Sequence, residues 1–122
     1  MIARIWHGVT MAEKADAFYQ FVRKTGEKAY LESSGNRGVQ ILRRHFDDKA
    51  EFLLVSFWDS IESIQCFAGE DYGRAFYLFP EDREFLIELE SEVKHFEVLN
   101  EPAPSTIQST FQLNWFDFFF DD

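Results

Sequence analysis

Cysteine is nearly missing from this 122-residue sequence, where Cys66 stands alone. A single thiol excludes an internal disulfide framework and a cysteine-rich zinc site. Positive charge is scarce as well: 12 Lys and Arg face 22 Asp and Glu, for a formal net charge of −10. Such a chain repels phosphate backbones, so nucleic acid is not expected as a partner. No apolar run approaches the ~20 residues that span a bilayer, and no membrane partner is expected. The opening residues Met1 to His7 have no basic leader and no apolar stretch of the kind a signal peptide needs. The expectation is a cytoplasmic protein. No internal repeat is present. What the sequence has in quantity is apolar and aromatic surface, with 46% hydrophobic residues and 15 Phe. Its length fits one domain with a real core. The aromatic excess points to buried surfaces larger than one chain's core uses.

Residues Ile2 to His7 alternate as a strand. Thr10, with Glu13 three residues on, has the pattern of a capping box for a helix over about 11–31, weakened in its middle by Gly26. Ser33 to Gly38 has the composition of a loop. Two strands follow, 39–46 and 51–58, joined by Asp47-Asp48-Lys49-Ala50 as an antiparallel hairpin. The second is apolar on both faces: Phe52, Leu54 and Trp58 oppose Leu53, Val55 and Phe57. Asp59-Ser60 caps a helix over about 60–67. A further helical piece carries Arg74 to Leu78 and stops at Pro80. Residues 81–92 hold six acids and one Arg, which reads as a short helix with a solvated acidic face. Residues 93–99 form the last strand.

The order strand, helix, strand, strand, helix, strand is an α+β, ferredoxin-like split β-α-β-β-α-β arrangement, an antiparallel sheet with helices on one face. Right-handed crossovers are expected to set the first and third strands side by side and parallel. The face away from the helices needs a cover, and a second copy in a closed homodimer is the simplest one. Residues 1–100 read as this domain. Residues 101–122 read as a Pro-containing linker, Glu101 to Pro104, and an aromatic acidic tail of unassigned role that includes Trp115 to Phe120.

Several stretches carry a family resemblance: Ile5-Trp6-His7-Gly8, Phe52 to Ile64, Phe67-Ala68-Gly69-Glu70-Asp71, and Val93 to Val98. Over residues 1–100 they resemble the antibiotic biosynthesis monooxygenase superfamily. The resemblance implies a dimeric α+β barrel. It further implies a monooxygenase that oxidises a polycyclic phenol or similar aromatic small molecule without flavin or metal, so that no cofactor is expected. A haem-degrading branch of that superfamily uses a histidine on the helix after the third strand. Residues 62–79 contain none, and His7 and Phe67 stand where that branch has Asn and Trp, which argues against haem degradation.

The chemistry-bearing candidates are few. His7 is the candidate general base, since an imidazole near neutrality accepts a phenolic proton. Arg4, inside an apolar strand, is the candidate for binding an oxyanion. Trp6, Trp58, Phe18 and Phe67 are candidates for stacking a planar substrate, with His95 and Tyr77 for polar contact; Tyr30 is a further phenol at a core edge. With the first and third strands parallel, His7, Trp58 and His95 would meet at one sheet edge. His7, His95 and Glu97 lack the local spacing of a metal site, and no metal is expected. Cys66 is expected to be a buried, inert thiol. A non-catalytic binding or structural homodimer of the same fold is the second reading. A cavity separates the two, because a non-catalytic module fills that space with its own side chains.

Overall fold

Strand β1 (Ile2–Met11) is the centre of the molecule. In the computed structural model, which describes residues 1–75 and 81–100, it pairs antiparallel on one side with β3 (Lys49–Trp58) and on the other with β4 (Leu86–Glu88) and β5 (Lys94–Glu97). Strand β2 (Asn36–Phe46) lies outside β3, giving the order β2-β3-β1-β4 with β5 also on β1. The architecture is the expected α+β sheet, with helices on one face.

The relative direction of β1 and β3 differs from expectation. They run antiparallel, with Ile2 opposite Trp58 and Met11 opposite Lys49. The helical crossover returns the chain parallel to β1 at β2, and the tight hairpin at Asp47-Asp48 then reverses it. Trp58 therefore lies at the beginning of β1, while His7 faces Leu53 and His95 faces Arg4. The single edge expected to gather His7, Trp58 and His95 does not form.

Alternation on β1 sets the two faces of the sheet. Arg4, Trp6, Gly8 and Thr10 are buried under the helices, and β3 sends Phe52, Leu54, Ser56 and Trp58 to the same side. Ile5, His7 and Val9, with Leu53, Val55 and Phe57, occupy the opposite face and stay half-buried. The two apolar faces of β3 thus do different work. One faces the core, and the other has no cover among the described residues.

Strand β1 runs on to Met11, and a 3-10 turn, Ala12–Lys14, precedes α1 (Ala15–Lys24), so Thr10 does not cap that helix. Its hydroxyl instead donates to the Met11 carbonyl. Helix α1 buries Ala15, Phe18 and Val22 on one stripe. The helix breaks at Thr25, whose hydroxyl donates to the Phe21 carbonyl at 2.7 Å, and restarts at the glycine as α2 (Gly26–Leu31). Helix α3 (Ile61–Ala68) begins as expected at Ser60. The reciprocal partner in its capping box is Ser63 rather than an acid. Cys66 lies on the exposed side of this helix, contrary to expectation. The acidic segment divides into a single turn, α4 (Asp82–Phe85), and β4, because Leu86 is drawn into the core opposite Thr10. Arg74 forms a bridge with Glu92. Tyr77 and residues 101–122, with their linker and aromatic tail, lie outside the described residues.

Gly35 ties the hairpin sheet to α3. Its carbonyl accepts from the Asp59 amide at 2.9 Å, its φ is +84°, and a Cβ there would stand 2.5 Å from the Ser63 Cβ. Gly35→Ala both strains the backbone and displaces the capping serine. We expect a loss of about 1–3 kcal/mol, read as a lower midpoint in urea or thermal unfolding. An unchanged midpoint contradicts this packing.

Candidate functional site

Between the sheet and the helices the side chains leave a cavity of about 60 Å³. Its walls include Trp6 from β1, Leu54 from β3, Phe18 and Val22 from α1, Tyr30 from α2 and Phe67 from α3. Half-buried Thr25, Gly26 and Asp82 form its outer margin. Trp6 can lie flat along its strand because residue 8 is glycine: a Cβ there would run into the indole ring. Phe18 stacks on Trp6 at 6.2 Å, and Phe67 packs on Tyr30 at 4.8 Å. The aromatic lining is thus supplied by four separate elements.

Arg4 is the polar member at the cavity floor. It is 2% exposed, and its Nη1 donates to the Tyr72 carbonyl at 2.6 Å and to His95 Nε2 at 3.0 Å. Arginine has only donors, so Nε2 of His95 must be the accepting nitrogen and the ring is neutral there. Burial lowers the His95 pKa, and the charge of Arg4 lowers it further. Tyr72 braces the His95 ring edge-on at 5.1 Å. Burial also pulls the Arg4 guanidinium below its ordinary value, against the opposing electrostatic influence of the neighbouring Tyr30 phenol. A guanidinium nevertheless stays charged at neutral pH. Burial raises the Tyr30 phenol above its ordinary value; Arg4 opposes this and the Asp82 charge adds to it. Tyr30 therefore remains a neutral hydroxyl, able to accept from Arg4 and to donate into the cavity.

The structure brings together Arg4, Trp6, Phe18 and Phe67 from the candidate set, with His95 directly behind Arg4. Trp58 stands apart from the lining. It is fully buried behind Tyr30 and Phe67, and its indole N–H donates to Ser56 Oγ at 2.9 Å. His7 stands on the opposite face of the sheet from Trp6, where both ring nitrogens meet carboxylates: Nε2 with Glu51 at 2.7 Å and Nδ1 with Glu90. Burial lowers the pKa of His7, but hydrogen bonds to Glu51 and Glu90 and their charges outweigh this and raise it overall. Glu51 also accepts from Arg44, and those two partners hold its carboxyl below the ordinary range. Sequence reasoning passed over Asp82 as part of a solvated acidic face. It gave Tyr30 no firm place, although Tyr30's position next to the last residue of a helical stretch, in register with the apolar positions before it, was the available signal. Among the described residues no group of His, Cys, Asp and Glu is arranged to hold a metal ion, and no helix is long and apolar enough to cross a membrane.

No protein-family model matches the sequence, and no curated protein matches it. Solved structures do match its fold. A candidate antibiotic biosynthesis monooxygenase from Nitrosomonas europaea is similar at a TM-score of 0.60 with 17% identity, over 82% of this chain and 100% of that one. A candidate antibiotic biosynthesis monooxygenase from Bacillus cereus is similar at 0.57 with 17% identity, over 85% and 96%. MhuD, as a single-residue mutant with two manganese protoporphyrin IX bound per active site, is similar at 0.55 with 18% identity, over 85% and 100%. The chain has the fold of the antibiotic biosynthesis monooxygenase structures.

Proposed function

We propose that this chain is a homodimeric, cofactor-independent oxygenase that takes a small phenol into the cavity between helices and sheet. The observation that carries the reading is a buried guanidinium, Arg4, at the floor of an aromatic cavity. Apolar walls with a few convergent polar groups are the usual form of a small-molecule site. A phenol entering past Thr25, Gly26 and Asp82 would place its ring between Trp6, Phe18 and Phe67 and its oxygen toward Arg4 and Tyr30. The positive charge favours the phenolate over the phenol. Asp82, at the margin, is placed to accept the proton. The phenolate then supplies the electrons that reduce dioxygen, so that a phenol and dioxygen become a quinone and water. Arg4 and Tyr30 act as preorganised donors to the changing charge on the oxygen.

At about 60 Å³ the cavity is smaller than the ~150 Å³ that holds a benzene ring, so even a one-ring phenol enters only as the half-open margin at Thr25, Gly26 and Asp82 widens, and a polycyclic one is disfavoured further. A porphyrin, as MhuD holds, does not fit this space, and α3 carries no imidazole to ligate its iron. His7 lies outside the cavity, so the base proposed here is Asp82. The dimer reading rests on the open sheet face, where Leu42 and Phe96 are 47% and 53% exposed beside half-buried Val55 and Phe57. Oxygen consumption by the purified chain with one-ring phenols, no flavin or metal being added, tests the activity. Consumption that persists in His7→Gln fits the placement of His7 outside the cavity, and its disappearance there contradicts it.

A further inference from the structure

We propose that His95 is the positioning residue of the phenol site: it touches no substrate, and through a neutral Nε2 it fixes how the Arg4 guanidinium is presented to the cavity. The inference rests on the phenol reading above and adds to it the residue that sets the geometry of the site. Hydrogen counting gives the constraint. Nη1 of an arginine carries two hydrogens. In Arg4 one goes to the Tyr72 carbonyl at 2.6 Å and the other to His95 Nε2 at 3.0 Å. Arg4 lines the cavity, and neither Tyr72 nor His95 does. Nη1 is thus committed behind the cavity wall. Because the guanidinium is planar and rigid, two bonds from this one nitrogen set the plane of the whole group.

The backbone places both acceptors independently of Arg4. Strand β5 pairs with β1 so that His95 stands directly opposite Arg4. Tyr72 comes from the segment after α3, and that segment is tied to the approach of β5. The Val93 amide donates to the Gly73 carbonyl and the Ala75 amide to the Ser91 carbonyl, each at 2.9 Å. The Tyr72 ring then meets the His95 ring edge-on at 5.1 Å. Arg4, Tyr72 and His95 close a triangle in which each member touches the other two.

One state of the imidazole completes this triangle. Arginine accepts nothing, so Nε2 offers its lone pair and the ring proton sits on Nδ1. An imidazolium would set N–H against N–H and charge against charge. A side chain without an acceptor at 95 would take one partner from Nη1 inside a residue that is only 2% exposed. The guanidinium then turns about its remaining bond to Tyr72: its charge is kept and its aim is lost. A purely structural role for His95 asks only that the space be filled. Positioning asks for a lone pair.

The test has two arms, both on the full chain. Nitrogen-15 NMR near neutral pH reads the tautomer. The chain has three histidines, and the His95 signals are those missing from His95→Gln. We expect Nδ1 to carry the proton and Nε2 to be bare. A proton on Nε2, or a charged ring, overturns the inference. The second arm is binding of 4-nitrophenol, followed by absorption. His95→Phe keeps a ring against Tyr72 and offers no lone pair. We expect it to bind about tenfold more weakly than the parent, the scale of one hydrogen bond to a charged group, while keeping the phenolate spectrum. His95→Gln offers an amide oxygen to the same N–H and should recover most of that loss. Parent affinity in His95→Phe, or an equal loss in both variants, overturns the positioning role and leaves the phenol reading standing. A parent chain that does not bind 4-nitrophenol as the phenolate overturns the phenol reading and this inference with it.

Discussion

Arg4→Met is expected to fold and to lose the phenolate. Replacing a buried ion by an apolar side chain of similar length is often close to neutral for stability. Here the Tyr72 carbonyl and His95 Nε2 each lose a donor, which costs about 1–3 kcal/mol for an acceptor left unsatisfied. A domain of this size then melts lower by several degrees, at about 4–8 °C per kcal/mol. The effect on ligand is much larger, because the charge that selects the ionised form is gone. Removing one preorganised donor to a developing oxyanion typically costs about 100-fold or more. The probe is 4-nitrophenol, whose absorption distinguishes phenolate from phenol. The parent chain should bind it with the phenolate spectrum at pH values where the free compound is mostly protonated. Arg4→Met should show no such shift and an affinity weaker by about 100-fold. An equal affinity and an equal spectral shift in the variant would remove Arg4 from the site.

Val55→Asp is expected to produce a folded monomer. Val55 stands on the open face of β3, between Ile5 on β1 and Gln40 on β2. In the single chain it is only half-buried, so a carboxylate there retains water and the fold survives. In the dimer the same carboxylate is covered without a partner, at a cost of several kcal/mol. Light scattering should give half the parent mass, with an unchanged far-ultraviolet circular dichroism spectrum. Parent mass in Val55→Asp, and again in Phe57→Asp on the same face, contradicts the assignment of this face to the interface.

Much of this fold can be read from residues. The doubled apolar pattern of β3 marks it as a central strand, as found between β2 and β1, and Asp59-Ser60 marks the start of α3. The resemblance to the monooxygenase superfamily leads to the architecture found. What local pattern does not carry is direction and parity. The wrong direction for β3 moves Trp58 from the beginning of β1 to its far end and invents an edge shared with His7. Parity fails for a related reason. Both Trp6 and His7 suit a half-buried strand position, and only the tertiary structure puts the indole under the helices and the imidazole against Glu51 and Glu90. Arg4 is the converse case: a cation inside an apolar strand signals a buried polar group with partners, and the structure buries Arg4 against the Tyr72 carbonyl and His95. Asp82 is hidden by its neighbours. Within a run of six acids nothing local distinguishes the carboxylate that α4 turns toward Tyr30 from those left in water.

Oxygen chemistry on a phenol in the Arg4 cavity, without a resident cofactor, is measured most directly as oxygen consumption. Quinone formation is followed in parallel, for the purified chain and for Arg4→Met, across one-ring and fused-ring phenols. We expect consumption with one-ring phenols, little with fused rings, quinone formed in proportion to oxygen used, and a loss of about 100-fold in Arg4→Met. Consumption that is unchanged in Arg4→Met, or none with any phenol that the cavity demonstrably binds, contradicts the oxygenase reading and leaves a binding protein of the same fold.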